Sequence, residues 1–207
     1  MVKRKTTGNS NIKYPQHKKM LSAMLIGIVG LCAAALAVNS CSTVKQQGDN
    51  AMNINLRVTS EVFAHNGYIP VRHTGQGEEI SPPLEWKSVD PAAKTIAIIM
   101  DDPALPFITV THWLLWNIPA TINKIPENIP HGKVVTSLHD ACQGKNFYRE
   151  IGYLGPKPPF GTHTYRFHVY VLDTVLDLEP GANKKQLQKA MEGHILQYGL
   201  LRGRFSH

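Results

Sequence analysis

Carboxylates are missing from the first 48 positions of this 207-residue chain, while six lysines and arginines precede residue 20. Without those six, the 22 basic residues fall to sixteen against fifteen acidic ones, so the formal charge of +7 belongs to the N-terminus. The remainder is close to neutral and lacks the phosphate-neutralising face that a nucleic-acid partner needs. Cysteine is equally scarce: of three, Cys32 lies in an apolar run, Cys41 follows it, and Cys142 is left alone. An internal disulfide is therefore not expected. H-E-x-x-H, C-x-x-C and H-x-H are all absent, which removes local metal chelation. Neither a G-x-S-x-G elbow nor a G-x-x-x-x-G-K phosphate cradle occurs. Neither a cofactor nor a metal is expected.

Residues 20–38 form an uncharged apolar run between a basic stretch and Asn39-Ser40-Cys41-Ser42. A basic n-region, an apolar h-region and a small-residue exit mark an export signal helix. Val38-Asn39-Ser40-Cys41 resembles a bacterial lipobox, cut before a cysteine that then carries lipid. The expected organisation is a signal peptide over 1–40, a polar tether over 41–53 beginning at the lipidated Cys41, and one domain over 54–207. Ser42, rather than aspartate, directs such a lipoprotein to the outer membrane, on the periplasmic side, in a Gram-negative envelope. The alternatives are an uncleaved inner-membrane anchor, since about twenty apolar residues span a bilayer, and simple secretion.

Fourteen prolines and sixteen glycines disfavour a helical bundle. Residues 54–62 alternate apolar and polar, the period of a half-buried strand. Residues 95–100 (TIAIIM) suit a central strand ending at Asp101-Asp102-Pro103. His112, Leu114, Trp116 and Ile118 share one face of another strand. In 162–173, His163, Tyr165, Phe167, Val169 and Val171 occupy one face, and Thr164, Arg166, His168 and Tyr170 the other. Helical spacing joins Leu187, Ala190, Met191, His194, Ile195 and Tyr198, with an Asn183–Gln186 capping pair and Gly199 as the stop. The last residues (LLRGRFS) are read as a short returning strand. Many strands, abundant turns and one late helix predict an all-β sandwich with a C-terminal helix.

Polar groups gather at strand ends: Asp101-Asp102, His112, and His163 with Tyr165 after a Gly/Pro-rich segment. Adjacent Asp101 and Asp102 point opposite ways on an extended chain, so one of them faces a shared cavity. Ser81-Pro82-Pro83-Leu84-Glu85-Trp86, Ile99-Met100-Asp101-Asp102-Pro103, His112-Trp113, Gly152-Tyr153-Leu154-Gly155-Pro156 with Pro158-Pro159, and Gly161-Thr162-His163-Thr164-Tyr165 follow in that order. Together they resemble the phosphatidylethanolamine-binding protein family, also called the Raf kinase inhibitor protein family, in its bacterial YbhB/YbcL-like branch.

The resemblance implies a β-sandwich with a small anion pocket and no catalytic reaction. It implies that Asp102 takes the place of the first pocket acid, that His112 and His163 are the pocket histidines, and that Tyr165 and Pro159 stand beside them; Gly155, Pro156 and Asp101 are further ligand-binding candidates. Ala104 stands where the family has a second acid, Thr164 where it often has Arg, and Lys157 where this branch often has Cys. A carboxylate 4 Å from a phosphate repels it by about 4 kcal/mol at an effective dielectric near 20, so Ala104 favours anions.

The leading expectation is a membrane-tethered, non-catalytic binding protein for a small anionic or phosphorylated ligand such as a phospholipid head group. A second is an inhibitor or regulator of a protease or kinase, contacting its protein partner through 121–150, including Ile129-Pro130-His131 and Phe147-Tyr148-Arg149. A third is a weak hydrolase using Asp102 and His163 as acid and base.

Overall fold

A computed structural model describes residues 55–105 and 108–207. The expected signal segment, Cys41 and the tether lie outside the described residues, as does the side chain of Ala104. In chain order the strands are β1 (Arg57–Thr59), β2 (Gly67–Tyr68), β3 (Leu84–Lys87), β4 (Thr95–Leu105), β5 (Ile108–Pro119), β6 (Lys124–Ile125), β7 (Val134–Val135), β8 (Ala141–Gln143) and β9 (Thr162–Leu172). Helix α1 (Lys184–Met191) and strand β10 (Ile195–Ser206) follow.

A seven-stranded sheet runs β2-β10-β9-β4-β5-β8-β7, and a three-stranded sheet runs β1-β3-β6. One core lies between them: Val58, Leu84 and Trp86 from the small sheet meet Ile98, Met100, Trp113 and Phe167 from the large one. The fold is thus sheet-dominated with one short helix. The helix covers the opposite face of the large sheet, where Leu187 and Met191 pack on Ala97, Ile99, Leu114 and Trp116. Burial on both faces explains why Thr95–Met100 reads as a continuous apolar run. In β9 the expected alternation appears directly: His163, Tyr165, Phe167, Val169 and Val171 are buried, and the residues between them are less so.

The helix is shorter than its periodicity suggests. The Asn183–Gln186 capping box starts it, but it ends at Met191, and Gly193 turns the chain at φ 79°. Residues from Ile195 onward instead pair along β9, with Tyr198 opposite Tyr170. The returning strand is twelve residues long, not the short tail expected. Gly199 is therefore no helix stop. It lets β10 pass β1, since a Cβ there would lie 2.5 Å from the Leu56 carbonyl oxygen.

A second difference lies in β5. Met100 pairs with Trp113 and Asp101 with Thr111, which leaves His112 as the extra residue of a β-bulge. The bulge breaks the predicted common face. Leu114 and Trp116 pack toward the helix, whereas the His112 ring turns to Tyr165 on the opposite face of the sheet.

Candidate functional site

Three strands deliver the site. The alternation of β9 points His163 and Tyr165 inward, Asp102 comes from the second half of β4, and the β5 bulge adds His112. All four line one cavity of about 500 Å³, together with Gly155, Pro159 and Lys157. His163 donates from Nδ1 to Oδ2 of Asp102 at 2.6 Å. The pair is nearly buried, so the carboxylate fixes the orientation of the ring. Nδ1 of His112 donates to the Leu154 carbonyl at 2.8 Å, while the Leu154 amide donates to the His112 carbonyl at 2.9 Å. That reciprocal pair ties the bulge to the Gly/Pro-rich segment.

Burial pushes the His112 pKa below its ordinary 6.5, against the opposing pull of the Leu154 carbonyl and nearby carboxylates. His112 is therefore neutral near pH 7, with its proton on Nδ1 and a lone pair on Nε2. Tyr165 lies edge-on to His112 at 5.1 Å between ring centroids and stacks on His163 at 6.4 Å. Burial, and then the charge of Asp102, push its phenol pKa well up, so it stays a neutral hydrogen-bond donor.

Two sequence-predicted residues fall outside this cavity. Asp101 points to the helix-covered face, where it accepts from Arg166 Nε at 2.7 Å, His168 Nε2 at 3.2 Å and Lys184 Nζ at 2.5 Å. Burial works to raise its pKa, but hydrogen bonds from His168, Arg166 and Lys184 outweigh it and hold the carboxyl far below the usual range. The reason is the one-residue offset along an extended strand: two neighbouring acids take opposite faces. Pro156 is buried behind the cavity wall, its carbonyl accepting from the Gly75 amide at 2.9 Å.

Sequence reasoning missed Glu79, which also lines the cavity and accepts from the Gly155 amide at 3.0 Å. It missed the contribution of Phe147 and Tyr148 to the cavity rim as well. These residues come from loops whose convergence has no periodic signal. Among the described residues, no three histidine, cysteine or acidic side chains gather to hold a metal ion. No serine, threonine or cysteine is among the described residues lining the cavity.

Residues 59–206 match the phosphatidylethanolamine-binding protein family model. The chain belongs to the phosphatidylethanolamine-binding protein family. It is 47% identical over 159 residues to a UPF0098 protein of Pyrococcus horikoshii, covering 75% of this chain and 79% of that one. A UPF0098 protein of Chlamydia muridarum is 37% identical over 155 residues, covering 72% and 98%. Among solved structures, a phosphatidylethanolamine-binding protein homologue from Chlamydia trachomatis superposes with a TM-score of 0.67 at 34% identity, covering 73% of this chain and 97% of its own. YbcL from E. coli, described as a member of the mammalian family, gives 0.67 at 25% identity, covering 73% and 98%. In this family member the two histidines and Asp102 share the described cavity. Thr164, at the position where an arginine was expected from the resemblance, lies on the other face of β9, across from Arg204 of β10.

Proposed function

We propose that this chain is a non-catalytic binding protein for a small anionic or phosphorylated ligand such as a phospholipid head group, within the YbhB/YbcL-like branch. The observation that carries this reading is the convergence of Asp102, His112, His163 and Tyr165 on one cavity. The phenol is a donor for an anionic oxygen, and the imidazoles become donors at Nε2 when protonated. Asp102 orients His163 and offers its charge to an ammonium group on a zwitterionic ligand. Lipidation of Cys41 tethers the domain to the bacterial envelope, in a Gram-negative cell at the periplasmic side of the outer membrane. The competing arrangement is an uncleaved helix in the inner membrane.

The test is a titration of the full chain with phosphoethanolamine and with acetate, following the imidazole resonances of His112 and His163. Saturable shifts at both rings support the reading; unmoved rings at millimolar ligand defeat it. Replacing Cys41 by serine should abolish incorporation of labelled lipid, and continued labelling would remove the anchor from the proposal.

The 2.6 Å His163–Asp102 contact favours a second reading, a weak hydrolase in which this pair activates water. An esterase and phosphatase screen separates the two, because activity lost in His163→Ala promotes hydrolysis. A regulatory contact with a protein partner is favoured by the exposure of Phe147 (49%) and Tyr148 (66%) at the cavity rim. A stoichiometric complex that Tyr148→Ala dissolves is its expected signature.

A further inference from the structure

Phe147 has a second cleft on its other side. This cleft, of about 390 Å³, is lined by Thr111, Lys145, Asn146, Arg149, Lys184 and Lys185 as well as Phe147. Four cations therefore surround one hollow whose described lining contains no carboxylate. A solvated surface ordinarily interleaves charges of both signs, and like charges around a hollow repel each other. Among the described residues, Lys145, Arg149 and Lys185 form no ion pair; Lys184 alone is paired, with Asp101. Two acids adjoin the lining, Asp101 through Lys184 and Glu150 in sequence, and leave three of the four cations without an ion pair among the described residues. Asp101 is already shared with Arg166 and His168, and Glu150 lines the histidine cavity.

Local hydrogen bonds bring the segments that carry the cations together. The Lys145 amide donates to the Ala182 carbonyl at 2.9 Å, which draws the loop to the start of α1. Buried Asn146 accepts from the amides of Tyr148 at 3.0 Å and Glu150 at 3.2 Å, and so closes the loop that carries Arg149. Lys184 is anchored by Asp101 at 2.5 Å. Lysine and arginine together offer a point charge and a planar fork, the combination that recognises phosphate oxygens.

We propose that this cleft is a second anion-binding site, taking a phosphate-class oxyanion, distinct from the histidine-lined cavity and divided from it by Phe147. The inference does not depend on what the histidine cavity binds. The cluster favours a tetrahedral dianion over chloride, because the dianion carries twice the charge and spreads it over several oxygens that can each meet a different donor.

The experiment titrates inorganic phosphate into isotope-labelled full-length chain in a non-ionic detergent, with chloride exchanged to hold ionic strength constant. The amides of Thr111, Lys145, Lys184 and Lys185 are followed beside the imidazoles of His112 and His163. The expected result is a saturable shift at those four amides that persists in His163→Ala. The exposed pair Arg149→Gln and Lys185→Gln, combined in one variant, should weaken it about tenfold or more, from the loss of two charge-assisted contacts. Near-identical shifts with chloride alone, or a phosphate response that the double variant leaves untouched, overturns the proposal. Imidazole shifts without amide shifts overturn it while leaving the cavity reading intact. Amide shifts without imidazole shifts support it and count against the cavity reading.

Discussion

Neighbouring acids with opposite duties make Asp101→Asn an informative perturbation. Asp101 is 2% exposed and accepts from three potential cations, whereas Asp102 faces the cavity and orients His163. Removing one partner of a buried ion pair costs about 3–5 kcal/mol, because the remaining charge is stranded. Here the side chains of Arg166 and Lys184 keep 31% and 23% exposure and can turn toward water, which places the cost near the lower end. About 3 kcal/mol in a domain of this size corresponds to a fall in Tm of roughly 6–12 °C. Thermal unfolding followed by circular dichroism measures it, with a phosphoethanolamine titration on the same sample. Asp101→Asn should lower Tm by that amount and leave the affinity within twofold. Asp102→Asn should do the reverse for binding, since it releases His163. An Asp101→Asn protein with unchanged Tm and lost ligand affinity would refute the division of labour between the two carboxylates.

Acid should destabilise the fold in two stages. His112 has a folded pKa below 6.5, so as pH falls past about 6.5 the unfolded state gains protons first and stability drops until the folded ring also titrates. Asp101 has a folded pKa far below the usual carboxylate value, so its contribution is intact above about 4 and is lost as pH falls further. Tm measured at pH 7.5, 5.5 and 3.5 should decline over both intervals, and His112→Asn should flatten the first. Gly155→Ala should destabilise by about 1–3 kcal/mol, as overpacking does, because its Cβ would lie 2.6 Å from the Gly75 amide nitrogen. Chemical denaturation checks this, and a neutral outcome shows that the loops can part. Tyr165→Phe should weaken phosphate-class ligands by roughly 2–12-fold through loss of one donor, with calorimetry as the readout.

What could be read in advance was whatever repeats along one strand. The period of two in Thr162–Leu172 assigns His163 and Tyr165 to the inner face and His168 to the outer. The same rule separates Asp101 from Asp102, and the family resemblance points to Asp102 as the one in the cavity. The Asn183–Gln186 pair marks the helix start because capping chemistry is local. Reading failed where tertiary pairing overrides local pattern. Ile195 and Tyr198 continue a helical spacing, yet β9 presents a free edge that β10 pairs with along its length. His112 owes its direction to a bulge that sends Leu114 and Trp116 to the opposite face, and a second register shift further along β5 returns Ile118 to the inter-sheet core; neither has a composition signal. The cationic cleft combines Lys145, Arg149, Lys184 and Lys185 from two separate stretches, so only the fold reveals their common hollow.

The hydrogen bond to Leu154 also bears on which ligands the cavity prefers. It fixes the His112 proton on Nδ1 and leaves Nε2 as an acceptor while the ring is neutral. An acceptor facing a bare carboxylate oxygen gains nothing, whereas a ligand that brings its own proton, as monohydrogen phosphate or an ammonium group does, can donate to it. A hydrogen bond to a charged group contributes about 1.5–3 kcal/mol, or roughly 10–100-fold in affinity. Phosphoethanolamine should therefore bind more tightly than acetate at pH 7.5 by at least tenfold. As pH falls below the folded pKa of His112, Nε2 becomes a donor and the acetate affinity should rise toward that of phosphoethanolamine. Calorimetry over a descending pH series from 7.5, in buffers of different ionisation heat, measures both the affinities and the protons taken up. Acetate binding accompanied by proton uptake is the expected signature; an acetate affinity that stays constant through the whole series in which the folded protein persists, with no proton exchanged, would show that His112 does not meet the ligand.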